Sequence, residues 1–137
     1  MKITLDHFKK FEKQIILKKI GVSGQRKILS SSVLVVGVGG LGCPLITYLA
    51  ASGIGKIGIV DHDKIELSNL NRQTLFGISD LGKLKVEQAK KSINKLNKKI
   101  KITVFKEKLT SKNIKNILKK FDIICDGTDN FYTRYLI

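Results

Sequence analysis

A glycine-rich segment, VVGVGGLG, separates two stretches with different apolar patterns. The preceding run SVLVVG (32–37) is continuously apolar and rich in β-branched residues, as expected for a strand buried on both faces of a sheet. The following stretch, 40–53, is predicted to be a helix, because Pro44 falls in its first turn and Gly53 supplies a stop signal. A strand, a tight glycine turn and a helix in this order begin a parallel α/β sheet.

Strand and helix patterns continue to alternate along the rest of the chain. Short apolar runs predict strands at 56–61, 101–105 and 122–130, the last of which runs into a polar turn. Helical periodicity is present in 80–97, with lysines on the outward face, and in 110–121, with a Thr/Ser cap. The alternation predicts a Rossmann-like parallel sheet with right-handed crossovers and helices on both faces.

The length of 137 residues is that of one domain. Residues 1–28 are predicted to be an N-terminal helical extension, helical from residue 11 and turn-like at Gly21 and Gly24, and residues 29–137 form the α/β domain. No run approaches the ~20 consecutive apolar residues of a membrane span, and the N-terminus has no continuous apolar signal segment. We therefore expect a soluble protein of the cytoplasm or of an organelle stroma, without membrane contact.

The formal net charge of +15 raises the question of a nucleic-acid partner. Segment 83–120 contains fourteen lysines but only two acids, Glu87 and Glu107. Few aromatic residues interleave with these lysines, so the stacking platforms that bind single strands are not expected. Solvated lysine faces are the favoured interpretation, while an electrostatic surface for RNA or for an acidic protein stays open.

The two cysteines, Cys43 and Cys125, are far apart and neither belongs to a CxxC pair. We expect neither a disulfide framework nor a zinc site, but two free, largely buried thiols. His7 and His62 have no evident partner in the sequence, and no chemistry is assigned to them.

The glycine-rich segment matches G-x-G-x-x-G at Gly37, Gly39 and Gly42. The first glycine allows the tight turn, the second lets a phosphate approach the backbone, and the third lets helix and strand pack closely. Asp61 ends the next predicted strand, where an acid binds ribose hydroxyls in nucleotide sites. The sequence therefore predicts a nucleotide site; the alternative for Asp61 is an acid that only caps a turn.

A dense polar row, SNLNRQTLF (68–76), follows shortly after Asp61. An NAD-dependent oxidoreductase requires no such row, whereas a triphosphate requires cations near its β- and γ-phosphates. The row thus favours a triphosphate over a dinucleotide. Its candidate ligand-binding residues are Ser68, Asn69, Leu70, Asn71, Arg72 and Gln73.

The motifs GVGGLGC, VDHDKIELSNLNRQTLF, LGKLKVEQAK and DGTDN, in this order and spacing, resemble the ThiF/HesA/MoeB branch of the ubiquitin-activating-enzyme superfamily. The resemblance runs from about residue 10 to residue 137. It implies an ATP-dependent adenylyltransferase that activates the C-terminal glycine of a ubiquitin-like sulfur-carrier protein. The pathway implied is molybdopterin or thiamine-thiazole biosynthesis.

The resemblance also implies roles for individual residues. Gly40 would lie at the phosphate loop. Arg72 and Lys85 would contact phosphate oxygens and stabilise charge as pyrophosphate departs, which makes them catalytic candidates. Asp129 would help to hold magnesium, with Asn130 beside it. ATP and magnesium are therefore the expected cofactors.

The N-terminal segment departs from the family pattern. Family members read Arg-Tyr-x-Arg-Gln there, and the second arginine reaches across a homodimer into the partner's ATP site. Here the stretch is KFEKQIIL, with Lys13 at that position. Lysine keeps the charge but loses the planar fork of a guanidinium, so we expect weaker pyrophosphate stabilisation.

Family members also continue well beyond the position of residue 137, with further strands, two CxxC zinc pairs and a crossover loop. We expect this chain to hold the nucleotide-binding half of the fold, to lack the C-terminal half, and to depend on a homodimer or on a completing chain. Whether it is active alone stays open. The alternative functions are a non-catalytic ATP-binding remnant or subunit, and a relative of tRNA threonylcarbamoyladenosine dehydratase.

Overall fold

Four short apolar runs pair as one parallel sheet in the computed structural model, which describes residues 2–137. The strands are β1 (Ser32–Val36), β2 (Lys56–Val60), β3 (Lys101–Phe105) and β4 (Ile123–Asp126). Their order across the sheet is β3-β2-β1-β4. The apolar residues of β1 and β2 are buried, as continuous apolar runs require, and the predicted Rossmann-like parallel sheet is confirmed.

Helices cover both faces of this sheet. They are α1 (Leu5–Ile15), α2 (Gly21–Ser30), α3 (Gly42–Ser52), α4 (Lys85–Leu96), α5 (Ile114–Leu118) and α6 (Phe131–Leu136). Alternate residues of β1 point to opposite faces, so Val33 joins a core shared with α3 and α4, whereas Leu34 joins one shared with α5 and α6. Phe11 and Ile15 of α1 pack with Leu29 of α2 in a third cluster.

The order of the strands creates a crevice at one edge of the sheet. The chain moves outward from β1 through β2 to β3, and then returns to place β4 on the other side of β1. The loops after β1 and β4 therefore leave the same edge in different directions. In open parallel sheets this topological switch point, at the carboxyl ends of the strands, is where ligands bind.

The N-terminal extension is more helical than the sequence indicated. Helix α1 begins at Leu5 rather than at residue 11, and Thr4 caps it, because its hydroxyl accepts a hydrogen bond from the His7 amide. Gly24 lies inside α2 and not in a turn, while Gly21 starts that helix with a left-handed φ of 58°. Glycines thus misled the prediction where the neighbouring packing favours a helix.

Three helix predictions need correction. Residues 80–84 precede α4, because Leu84 has an extended backbone and Ile78–Asp80 form a short 3₁₀ turn. Helix α5 covers only part of 110–121, and Asn113 caps the preceding turn by accepting a hydrogen bond from the Thr110 amide. Helix α6 was not predicted.

Among residues 2–137, no helix combines the length and apolarity needed to cross a membrane.

Candidate functional site

An open cavity of about 630 Å³ lies at the carboxyl edge of the sheet, at the switch point between β1 and β4. Its walls come from the loops that follow each of the four strands. The volume falls within the ~300–1,000 Å³ typical of small-ligand sites. Ten predicted site residues line it: Gly37, Gly39, Gly40, Asp61, Asn69, Arg72, Gln73, Lys85, Asp129 and Asn130.

The glycine loop forms one wall and joins β1 to α3. Gly37 has a left-handed φ of 87°, which a residue with a side chain rarely adopts, and its amide donates to the Val60 carbonyl at 2.8 Å. Gly42 does not line the cavity. A Cβ at Gly42 would lie 2.0 Å from the carbonyl oxygen of Gly37, so this glycine permits the close approach of helix and loop.

Asp61 connects the glycine loop to the segment after β2. One of its carboxylate oxygens accepts a hydrogen bond from the Val38 amide at 2.7 Å, and the other accepts one from the Asp63 amide at 2.8 Å. Asp61 therefore fixes backbone and also lines the cavity. A carboxylate has about four lone-pair sites, so capacity for further donors remains.

Two amides of the polar row are buried beside the glycine loop. The Asn69 side-chain oxygen accepts a hydrogen bond from the Glu66 amide at 3.1 Å, which fixes the turn. Gln73 is only 3% exposed, and its side-chain oxygen has no hydrogen-bond partner among residues 2–137. Because an unpaired buried carbonyl is costly, Gln73 is suited to accept a hydrogen bond from a ligand.

Arg72 brings a guanidinium to the cavity, and its neighbours in the row orient it. Its Nη1 donates to the Ser68 carbonyl at 2.9 Å and to the Asn71 side-chain oxygen at 3.0 Å. Ser68 and Asn71 lie outside the cavity, and Leu70 packs against the core under α3 and α4. The structure thus separates cavity-lining residues of the row from residues that support them.

Lys85 supplies a second cation and is the first residue of α4. It is 6% exposed, and its ammonium lies 3.0 Å from a carboxylate oxygen of Asp63. A nearly buried ammonium requires such a counter-charge. This residue therefore places a desolvated positive charge at the cavity wall.

The loop after β4 supplies the polar groups on the opposite side. Asp129 and Asn130 both line the cavity. The Asn130 side-chain oxygen accepts a hydrogen bond from the Thr133 amide at 2.8 Å and caps α6. Asp129 is exposed, so its carboxylate is accessible to a ligand or an ion.

Lys13 is the one catalytic candidate that lies apart from the cavity of its own chain. It belongs to α1, its side chain is 87% exposed, and its ammonium lies 3.9 Å from a Glu12 carboxylate oxygen. Its predicted role across a homodimer stays a prediction.

Several cavity residues were missed from the sequence. They are His62, Asp63, Glu107, Lys108, Thr128 and Thr133. His62 has a partner after all, because its Nε2 lies 3.5 Å from an oxygen of Asp63, and His7 Nδ1 accepts a hydrogen bond from the Thr4 amide. The D-x-D pattern of 61–63 was the available signal for Asp63.

Carboxylates in the cavity provide oxygen ligands for a divalent cation. Asp61, His62 and Asp63 hold potential ligand atoms within 4.8 Å of one another, and Asp129 contributes a further carboxylate from across the cavity. Magnesium usually takes one or two carboxylates together with substrate phosphates. These carboxylates therefore fit a magnesium ion whose remaining ligands are phosphate oxygens.

Neither cysteine lines the cavity. Both are free, and Cys43 is fully buried as predicted, whereas Cys125 is only half-buried. Burial raises the pKa of the Cys43 thiol to about 11, and burial also raises the pKa of Cys125. Both sulfurs therefore stay protonated at neutral pH and are poor nucleophiles.

Comparisons with known proteins found a matching family model and similar relatives. The ThiF family model matches residues 11–137. The chain is 48% identical over 134 residues to the "Probable molybdopterin-synthase adenylyltransferase" of Porphyra purpurea, covering 98% of this chain and 35% of that protein. It is 40% identical over 137 residues to the sulfur carrier protein adenylyltransferase of Thermus thermophilus, covering all of this chain and 51% of that protein.

A solved structure is also similar. It is the E. coli tRNA N6-threonylcarbamoyladenosine dehydratase TcdA in complex with ATP, with a TM-score of 0.87 and 25% sequence identity. The match covers 95% of this chain and 53% of that one. The chain thus spans between about a third and a half of the length of these relatives.

Proposed function

This chain belongs to the ThiF family, and on that premise we propose that its cavity binds magnesium-ATP and transfers AMP to the C-terminal carboxylate of a ubiquitin-like sulfur-carrier protein. The observation that carries the proposal is the convergence, in one cavity, of a glycine loop, the cations of Arg72 and Lys85 and the carboxylate of Asp129. These groups complement a nucleoside triphosphate with its metal. Molybdopterin synthesis is the favoured pathway and thiamine-thiazole synthesis the alternative.

The proposed reaction needs no protein nucleophile. A carboxylate oxygen of the carrier attacks the α-phosphorus, and the bond from that phosphorus to the bridging oxygen breaks. The products are an acyl-adenylate and pyrophosphate, and no proton moves in this step. The enzyme has to hold the two anions together and stabilise the charge that accumulates on pyrophosphate.

The residues of this chain divide that task by position. Backbone amides around Gly39 and Gly40, at the start of α3, are suited to a phosphate. Arg72 and Lys85 are suited to the oxygens that become pyrophosphate, because each places donors and positive charge at the cavity wall. Asp61, beside the glycine loop, is suited to the ribose.

A magnesium ion would be held by Asp129, with phosphate oxygens completing its coordination. When bound, it supplies Lewis-acid stabilisation of the negative charge on the phosphates. The carboxylate of Asp129 is exposed in the cavity and therefore accessible to a hydrated cation.

ATP–pyrophosphate exchange in the presence of candidate carrier proteins tests the proposal. We expect exchange that requires a carrier and that falls by about 100-fold or more in Arg72→Ala and in Asp129→Ala, because each removes charge stabilisation at the phosphates. Arg26→Ala on α2 and Asp6→Ala on α1 are matched controls, since both residues are exposed and lie outside the cavity. Exchange that survives both cavity substitutions would contradict the proposal.

Two further candidate functions have specific support. The similarity to TcdA favours a tRNA-directed dehydratase, which would bind tRNA with a steep salt dependence. The same cavity would also serve a non-catalytic ATP-binding subunit, which is the other candidate. Magnesium-ATP binding without pyrophosphate exchange, with every carrier tested, would identify it.

A further inference from the structure

We propose that Asp63 is a positioning residue that holds the Lys85 ammonium in the cavity where the triphosphate of ATP binds; the inference rests on the function proposed above. Asp63 belongs to the segment after β2, and Lys85 begins α4 twenty-two positions later in the chain. The two meet through the hydrogen bond from Lys85 Nζ to Asp63 Oδ2, at 3.0 Å.

The position of the Lys85 ammonium depends on this contact. The lysine side chain is 8% exposed, whereas that of Asp63 is 52% exposed. Among residues 2–137, Asp63 provides the only carboxylate within 4.0 Å of Lys85 Nζ. Removing the carboxylate beside a largely buried ammonium leaves that positive charge uncompensated, so the ammonium would turn away or lose its fixed position.

The backbone around Asp63 keeps the two residues in register. The Lys85 amide donates to the Asp63 carbonyl at 3.0 Å, and the Ile65 amide donates to the Lys83 carbonyl at 2.9 Å. The Gly82 amide in turn donates to the Ile65 carbonyl at 2.8 Å. The segments 63–65 and 82–85 therefore lie antiparallel, and the start of α4 is fixed relative to the end of β2.

Asp63 is also linked to the glycine loop. Its amide donates to Asp61, whose other carboxylate oxygen accepts from the Val38 amide. A continuous path of hydrogen bonds therefore runs from the loop through Asp61 and Asp63 to the Lys85 ammonium. The path fixes the distance between the backbone donors on one side of the cavity and the cation on the other.

Positioning leaves donors available for the ligand. An ammonium has three N–H donors, and Asp63 takes one of them. The carboxylate of Asp63 also repels a phosphate, so Asp63 could either strengthen or weaken ATP binding. Measuring ATP affinity distinguishes the two effects. Because Asp63 is half-exposed and Lys85 is not, water screens the repulsion more than it screens the attraction of the lysine. We expect positioning to outweigh repulsion.

A double-mutant cycle on the full chain tests this inference, with magnesium-ATP and AMP as the probes in calorimetric titrations. Asp63→Asn should weaken magnesium-ATP binding by about tenfold and leave AMP binding within about twofold, since AMP has no phosphates beyond the first. Asp63→Glu, which keeps the charge, should restore part of the loss. In the Lys85→Met background, Asp63→Asn should have no further effect, because its role is exerted through Lys85.

Glu87→Gln is the matched control. Glu87 also lies on α4 and pairs with a lysine, at 2.7 Å from Lys106 Nζ, but neither residue lines the cavity. This variant should bind magnesium-ATP as the parent does. Melting temperatures of all variants report whether the fold is kept.

Each remaining outcome is decisive. Unchanged or tighter ATP binding by Asp63→Asn would overturn the positioning role, as would equal weakening of ATP and AMP or an additive loss in the Lys85→Met background. A parent chain that binds neither nucleotide would overturn the proposed function as well. ATP binding by the parent with a failed cycle would overturn only the role of Asp63.

Discussion

At the scale of single residues, two glycines of the loop between β1 and α3, Gly40 and Gly42, are not equivalent. Gly42 fits against the backbone of its own loop, and an added Cβ would lie 2.0 Å from the Gly37 carbonyl oxygen. Gly40 instead faces the flexible Arg72 side chain, whose nearest atom would be 3.2 Å from such a Cβ. One glycine therefore serves packing and the other serves access to the ligand.

Alanine substitutions should separate these two roles. Gly42→Ala should lower the free energy of unfolding by about 2 kcal/mol or more, because backbone has to shift to admit the methyl group. Gly40→Ala should stay within about 0.5 kcal/mol of the parent and should weaken ATP binding by displacing Arg72. Urea unfolding followed by circular dichroism measures the stability of both variants, and a calorimetric titration measures their ATP binding. Equal losses of stability in the two variants would disprove the distinction.

At the scale of secondary-structure elements, the starts of β1 and β4 are fastened by one carboxylate. An oxygen of Asp122 accepts hydrogen bonds from the Ser32 hydroxyl at 2.7 Å and from the Ser32 amide at 2.8 Å. Both bonds lower the pKa of Asp122 below its ordinary 3.8, and the bond from the hydroxyl has the larger effect. The contact therefore favours the ionised carboxylate.

The pH dependence of this contact follows from the direction of the pKa shift. A pKa that is lower in the folded state stabilises the fold above 3.8, and the contribution is lost as the pH falls through the folded-state value. Asp122→Asn should therefore be less stable than the parent at neutral pH, and the difference should shrink in acid. Urea titrations across this pH range measure it; a difference that is the same at every pH would rule out the ionised contact as its cause.

The sequence predicted most accurately those elements whose position is determined by their own apolar pattern. The four strands are short, apolar and buried, so their positions agree with the predictions to within a few residues. Helix α6 was missed because it has only six residues and its capping residue, Asn130, was interpreted as part of a ligand loop. The start of α4 was misplaced because Leu84 pairs with Lys64 and is held extended there.

In the candidate site, too, local sequence patterns predicted some residues, whereas tertiary contacts brought in others. The glycine motif, the polar row and the family resemblance together identified ten residues that line the cavity. They did not identify Glu107 and Lys108, which reach the cavity from the loop after β3. The contact between Asp63 and Lys85 was also missed, because it depends on tertiary pairing between distant segments.

At the scale of the whole molecule, basic residues far outnumber acidic ones, with 26 lysines and arginines against 11 acids. The net charge is +15, and Lys56 and Lys101 lie directly opposite each other on adjacent strands. Both begin their strands, so they occupy the amino edge of the sheet, opposite the cavity. Such self-repulsion destabilises a compact state.

Added salt should therefore stabilise the protein. Raising sodium chloride from about 20 to 200 mM shortens the screening length from roughly 20 to 7 Å and should raise the melting temperature by a few degrees. Lys101→Glu should reduce this dependence, because it replaces a repulsive neighbour of Lys56 by an attractive one. A melting temperature that falls with salt would contradict the explanation.

The return of β4 to the side of β1 has a consequence for how the molecule matures. The Gly127 amide donates to the Val36 carbonyl at 2.8 Å, so adjoining walls of the cavity come from segments about ninety positions apart. A growing polypeptide on the ribosome thus acquires no complete pocket while the first three strands alone have emerged. A ligand that contacts residues 127–133 can therefore stabilise only chains in which β4 has joined the sheet.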